Sequence, residues 1–278
     1  MTSSIDEAKE ALGERLREIR RRAGVSGRTL ARLAGWHESR VSKIEYGRLK
    51  PSDADIRAYC EHTGTKDQLP DLLATLHNLD AAYLEWRRVL NTGTKRRQHA
   101  SVKLARRTTL TRIFQPVIVP GILQTAEYAR AILRRSITFH RIPDDLDAGV
   151  AKRLERQQVL YEGDRHFRII IGEQALHTTV GGDGVMRGQL DRLLAAMGLP
   201  RVAFGIIPAD AELPMQTTNF VMFDNRMVTA ETVTAELTVT QPREIAIYAR
   251  TFEELAQHSV TGDPARALIN AALERRRD

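Results

Sequence analysis

Leu12–Pro51, LGERLREIRRRAGVSGRTLARLAGWHESRVSKIEYGRLKP, decides the fold of the N-terminal part of this 278-residue chain. Leu12, Leu16 and Ile19 recur at helical spacing and mark one apolar face. Gly24 ends that helix, and Ser26 stands where a side-chain oxygen caps the next one. Leu30, Leu33 and Ala34 give the second helix its inner stripe, and Gly35 makes the turn. A third helix follows from about His37 to Glu45, with Val41 and Ile44 inward and Glu38, Ser39, Ser42 and Lys43 on the opposite face. Such a short helix can pack on its neighbour through one side and enter a major groove, about 12 Å wide, with the other. The stretch therefore reads as a helix-turn-helix.

Charge agrees with that reading. From Arg15 to Lys50 there are eleven Lys and Arg against the three acids Glu18, Glu38 and Glu45. A solvated helical face would explain a charge run alone, but here the helical spacing, the glycine turn and the basic bias coincide. On this reading Lys43 and Ser39 approach base edges, with Glu38 and Ser42 beside them. Arg28 and Arg40 hold phosphates, and His37 and Arg48 complete the DNA-facing set. Trp36 is expected as a core plug at the turn.

The pattern LxxIRxxxGxSxxxLAxxAGxxxSRVSKIExGRxxP, as it stands here, resembles the Cro/phage-repressor family of helix-turn-helix proteins. The resemblance implies a five-helix domain, commonly dimeric, with its third helix in the major groove. One departure matters. The family usually has Gln just after the Ser that caps the second helix, and this chain has Gly27 followed by Arg28, so the role of that Gln does not carry over.

Composition bounds the rest. The length allows about two domains, and 42% apolar residues suffice for ordinary cores. One cysteine, Cys60, excludes intramolecular disulfides and CxxC zinc sites and is expected as a buried apolar residue. No run approaches the ~20 apolar residues of a membrane span. The first ten residues do not read as a secretory leader, so a cytoplasmic, nucleoid-associated location is expected. The net charge of +7 is uneven. The segment 91–115 holds seven basic side chains and no acids, whereas basic and acidic side chains nearly balance from position 116 to the end. Nucleic-acid contact is thus expected within the first ~115 residues.

These observations divide the chain into a helix-turn-helix domain at 1–90, a basic linker at 91–111 and an α/β domain at 112–278. The fold expected is multidomain: an all-α five-helix domain, then an α/β domain with a small mixed sheet and closing helices. In the first domain, Ser52 and Asp55 have capping-box spacing and Gly64 ends the fourth helix. A long final helix is expected from about Lys66 to Leu90. Its half from Tyr83 to Leu90 is apolar beyond the needs of the small domain, which makes it a candidate dimer or interdomain helix, with simple packing on its own C-terminal domain as the alternative. Lys95, Arg96, Arg97, Arg106 and Arg107 form a candidate second contact with DNA or a partner; a solvated connecting helix is the alternative.

In the second domain, ILQTAEYARAILRR and about Leu146–Tyr161 read as helices. Phe167–Ile171 and Val202–Ile207 read as buried strands joined by a helix, which argues a parallel β-α-β unit. Asn219–Asp224 and Met227–Thr234 read as an antiparallel pair turning at Asp224-Asn225. Two helices close the chain, near Pro242–Ser259 and Pro264–Arg277. Glu173 and His177 have helical spacing but lack a third ligand, so no metal is expected. Gly181-Gly182-Asp183-Gly184 lacks both phosphate-loop patterns, and Asp183 is expected to cap the next helix. Glu231 and Glu236 lack a nucleophile or metal set. No catalytic residue and no cofactor is expected.

The series VPGILQTAEYARAIL, RQQVL, IIIGEQAL and GVMRGQLDRLL resembles a C-terminal domain of unassigned function that follows this helix-turn-helix in actinobacterial, Streptomyces-type regulators of development and specialised metabolism. The resemblance implies a transcriptional regulator that often acts with a small acidic partner protein. One recognition helix per chain and the surplus apolar stretch from Tyr83 to Leu90 lead to the further expectation of a homodimer on an inverted repeat. The alternative is an antitoxin-like protein that neutralises a partner while repressing its own operon. An enzyme with a DNA-binding appendage is disfavoured by the missing catalytic set.

Overall fold

The first helices form where the apolar spacing places them. Helix α1 spans Ser4–Arg22, α2 Gly27–Ala34, α3 Glu38–Glu45, α4 Asp53–Thr63 and α5 Leu69–Asn78, with a 3-10 turn at Lys66–Gln68 before α5. The computed structural model describes residues 4–78, 83–85, 94–212, 218–233 and 235–276. Gly24, Gly35 and Gly64 all take left-handed backbone conformations, which ends helices cheaply because no Cβ collides with the preceding carbonyl. Ser26 Oγ accepts from Thr29 N at 3.0 Å to start α2. Ser52 and Asp55 form the full reciprocal capping box of α4. One core collects Leu12, Leu16, Ile19, Leu30, Ala31, Val41, Ile44, Ile56, Tyr59, Cys60, Leu72 and Leu76. Trp36 packs against its edge, its ring 5.9 Å from that of Tyr59.

Two expectations here are corrected. Leu33 is 49% exposed, and Leu30 and Ala31 are the buried pair of α2 instead. The short helix presents too narrow a stripe to bury position 33 as well. The long final helix does not run through to Leu90. α5 ends at Asn78, and Tyr83–Glu85 is a short strand, β1. Leu79 and the positions from Trp86 to Leu90 lie outside the described residues.

The chain divides into two units, Met1–Tyr83 with Thr238–Ile245, and Leu84–Leu237 with Ala246–Asp278. The second unit holds α6 (Thr94–Arg107), β2 (Leu110–Gln115), α7 (Ala126–His140), α8 (Leu146–Gln157), β3 (His166–Gly172), a short α9 (Gln174–His177), α10 (Asp183–Ala196) and β4 (Val202–Ile207). Next come β5 (Phe220–Phe223), β6 (Met227–Glu231), β7 (Ala235–Val239), α11 (Pro242–Gln257) and α12 (Gly262–Glu274). Strand order in the seven-stranded mixed sheet is β1-β7-β6-β5-β2-β3-β4. β3 and β4 are parallel, with Ile169 opposite Phe204 and α10 as crossover, as their apolar runs imply. β5 and β6 are antiparallel around Asp224, a non-glycine residue at φ 52°. Asp224 Oδ1 stabilises that turn by accepting from Thr109 N and Leu110 N at 3.0 and 2.9 Å.

β2, in mid-sheet, pairs parallel with β3 and antiparallel with β5. Residues expected as a basic linker, 91–111, thus include α6 and the first residues of β2, both in the second unit, where α6 packs on α8. The main core of this unit draws on Ile113, Val119, Leu123, Tyr128, Phe167, Ile169, Ile171, Met186, Leu190, Phe204 and Ile269 among others. Asp183 does not cap α10. Gly182 holds the cap position at φ 92°, and Asp183 Oδ1 accepts from Arg276 Nη1 at 2.6 Å. The fold is therefore multidomain, a five-helix all-α domain followed by an α/β domain with a mixed sheet.

Candidate nucleic-acid interface

α3 is fixed from beneath. Glu45, at its last turn, is 6% exposed. Its carboxylate takes a two-pronged grip from Arg20 of α1, Nε to Oε1 at 2.6 Å and Nη2 to Oε2 at 2.8 Å. Tyr59 of α4 donates to the same Oε1 at 3.3 Å, and Arg20 Nη1 donates to the Val25 carbonyl at 2.8 Å. A planar guanidinium matches two carboxylate oxygens at once, so the pair sets orientation as well as energy. Burial and the Glu45 carboxylate together push the Tyr59 hydroxyl pKa far above its ordinary range, so it stays a donor. Gly13 completes the seat. A Cβ there would lie 2.5 Å from the Ile44 carbonyl oxygen and 2.8 Å from that of Glu45, so α1 and α3 approach closely only because position 13 carries no side chain.

With Val41, Ile44 and Glu45 inward, Glu38, Ser39, Ser42 and Lys43 are exposed. His37 caps α3, its Nδ1 accepting from Ser39 N at 3.2 Å and lying 2.8 Å from Ser39 Oγ. Arg28 is exposed on α2, and its Nε donates to Glu38 Oε1 at 2.8 Å. This surface pair ties a candidate phosphate ligand to the first residue of α3, and exposed pairs of this kind hold weakly. Arg40 differs. Its Nε and Nη2 both reach Asp55, each at 3.0 Å, and its guanidinium lies 5.7 Å from the Trp36 ring centroid. Arg40 thus joins α3 to the α4 cap, a structural task that the phosphate expectation did not include. Burial alone would raise the Asp55 carboxyl, but hydrogen bonds from Arg40 and Ser52 bring its pKa below the ordinary value.

Arg48 lies past the end of α3, its guanidinium 5.9 Å from the Tyr46 ring centroid, with Arg17 at 4.9 Å from the same ring. Sequence reasoning missed Tyr46 and Arg17. An exposed aromatic between arginines at α3's C-terminal end was the available signal.

The basic residues of 91–111 fare differently from one another. Lys95 and Arg96 lie on α6, and their side chains are outside what is described. Arg97 is not spread toward solvent: its Nη2 holds Glu231 at 2.6 Å and Glu236 at 2.8 Å. Arg106 and Arg107 are exposed at the last turn of α6. Elsewhere, His177 Nε2 lies 3.5 Å from Glu173 Oε1, and Glu173 Oε2 accepts from Ala209 N at 2.8 Å. Among the described residues no three His, Cys, Asp or Glu side chains are grouped to hold a metal ion, and no helix is long and apolar enough to cross a membrane.

No curated protein matches the chain. Among solved structures, one titled "Structure of TrmBL2, an archaeal chromatin protein, shows a novel mode of DNA binding" aligns at 10% identity over 74% of this chain, with a TM-score of 0.33. The present chain covers 65% of that chain's length. Residues 11–74 match the model of a helix-turn-helix domain, the stretch that builds α1 to α5. Residues 98–271, which build most of the second unit, match the model of a domain of unknown function, DUF5753, and the chain belongs to that family.

Proposed function

We propose that the chain is a sequence-specific DNA-binding transcriptional regulator of the Cro/repressor type. It acts as a homodimer on an inverted repeat, and its second domain binds a small acidic partner protein or an effector. The observation that carries the reading is α3, which offers Glu38, Ser39, Ser42 and Lys43 outward while the Arg20–Glu45 fork fixes its other side. A helix so held presents side chains at a defined depth, which base readout requires. The basic surplus around it supplies the sequence-independent attraction to phosphates. Lys43 and Ser39 read bases, Arg28 exchanges Glu38 for a phosphate, and Arg48 holds the flanking backbone. One reading helix per chain favours two half-sites about 10 bp apart.

Selection of bound sequences from a random duplex pool with the full chain tests this. An inverted repeat with one chain per half-site, by sedimentation of the complex, is the expected result. One chain per selected site would refute the dimer.

A further inference from the structure

The loop from Val119 to Thr125 is held by glutamines. Gln124 Nε2 donates to the Val119 carbonyl at 2.8 Å. Gln157 Nε2 donates to the carbonyls of Gly121 and Gln124 at 3.2 and 2.7 Å. Gln189 donates to the Leu123 carbonyl at 2.9 Å, and its Oε1 accepts from Thr125 N at 2.8 Å. So fixed, Gly121 meets two arginines of α8. A Cβ on Gly121 would lie 2.6 Å from Arg156 Nη2 and 3.7 Å from Arg153 Nε, so both guanidinium groups converge on one side-chain-free position.

Neither arginine is hydrogen-bonded or ion-paired to a carboxylate among the described residues; Glu231 acts on both only from a distance. Arg153 is 7% exposed, and its Nη1 donates to a neutral amide oxygen, Gln124 Oε1, at 2.7 Å. Its Nε is buried without a partner. The Nε of half-buried Arg156 is likewise buried and unpartnered, and Arg156 makes no hydrogen bond or ion pair with any described residue. Glu231 and Glu236 both engage Arg97. Burial holds Arg153 down to about 9, with Arg156 and Arg97 adding repulsion, and holds Arg156 down to about 10, with Arg97 adding to it; the Glu231 carboxylate offsets part of this in both. Guanidinium groups that are buried or half-buried and form no direct ion pair are costly, and each is a fork of donors matched to two oxygens.

We propose that Arg153 and Arg156, with Gly121 and Gln124, form a binding site for the carboxylate or phosphate group of a small molecule. The site lies wholly within the second unit and does not depend on the DNA interface.

Thermal unfolding of the full chain, in inorganic phosphate or succinate against sodium chloride at equal ionic strength, tests it. A saturable rise in midpoint, on the order of 3–5 °C, is expected from at least one anion. A rise with phosphate alone identifies a phosphoryl ligand, and with succinate alone a carboxylate. Two variants localise the effect. Arg156→Gln removes an unpaired charge without opening a hole. Gly121→Ala displaces the Arg156 guanidinium and keeps its charge. Each should weaken the apparent affinity at least tenfold while retaining a cooperative transition in chloride. No rise with either anion overturns the site, as does a rise undiminished in whichever variant folds.

Discussion

Glu45 carries the orientation of the candidate recognition helix, because Arg20 and Tyr59 converge on its one carboxylate. Glu45→Ala leaves Arg20 largely buried without a counter-charge, which costs about 3 kcal/mol or somewhat more. Urea denaturation should show that loss, and Glu45→Gln should recover part of it by keeping an acceptor. Asp55 gives a pH signature. Its folded pKa lies below the ordinary value of about 3.9, so its contribution is present above that pH and is lost as pH falls through the lower folded value. Stability of the first unit should therefore drop with a steepened slope below about pH 4, and Asp55→Asn should flatten that slope while lowering stability at pH 7. An unchanged slope in Asp55→Asn would place the acid sensitivity elsewhere. The capping role of Asp55 was legible because a capping box is local, contained within one turn of chain. The Arg20–Glu45 fork was not. Its partners sit on different helices, α1 and α3, and in sequence Glu45 is simply one of three acids in a basic run.

At the scale of elements, α1 and α3 touch where Gly13 meets the carbonyls of Ile44 and Glu45. Both partners are backbone, so neither can swing aside, and Gly13→Val must move a helix. A loss of about 1–3 kcal/mol is expected, as for overpacking elsewhere, with operator affinity falling further than stability alone explains because α3 itself is displaced. Footprints at a protein concentration where the variant is fully folded would separate the two effects; equal affinity there would mean that α3 has not moved. On the outward side of α3, Lys43→Ala should relax specificity at one position by about 1–3 kcal/mol, while Arg28→Ala should weaken all sequences alike and lower the salt slope by about one. Competition with single-base operator variants reads the first, and affinity against salt reads the second.

Helices α1 to α4 were legible because their faces are amphipathic and glycines or caps bound them. The overreach past Asn78 has the same source. Leu79, Tyr83 and Trp86 continue a helical spacing, but spacing cannot register that Tyr83–Glu85 joins a sheet whose neighbouring strand, β7, comes only after every other strand of that sheet. β2 escaped for a related reason. LTRIFQ holds Thr111 and Arg112 buried in mid-strand, and a buried arginine reads as surface until its partner, Asn225, is known.

The largest departure from a linear reading concerns which residues complete the first unit. Thr238–Ile245 belongs to it although most of the second unit lies between this segment and α5 in the chain. Arg243 Nε meets Asp71 at 2.8 Å, its Nη2 meets Asp67 at 3.0 Å, and its backbone N–H donates to Asp71 at 3.3 Å. Asp71 is 4% exposed, so this ion pair is asymmetric: Asp67 and the arginine reach solvent, while Asp71 is committed to the interior. A fragment ending at Asn91 keeps the core that Leu12, Leu30, Ile44, Ile56 and Leu72 build, and should fold. It leaves the Asp71 carboxylate without its counter-charge, and an uncompensated buried acid costs on the order of 2–4 kcal/mol. Asp71→Asn should then stabilise the fragment and destabilise the full chain, because the same substitution removes an unpaired charge in one and a paired one in the other. Urea midpoints of the four proteins measure this directly. A fragment equally stable with and without the substitution would mean that Asp71 finds water once the C-terminal segment is gone.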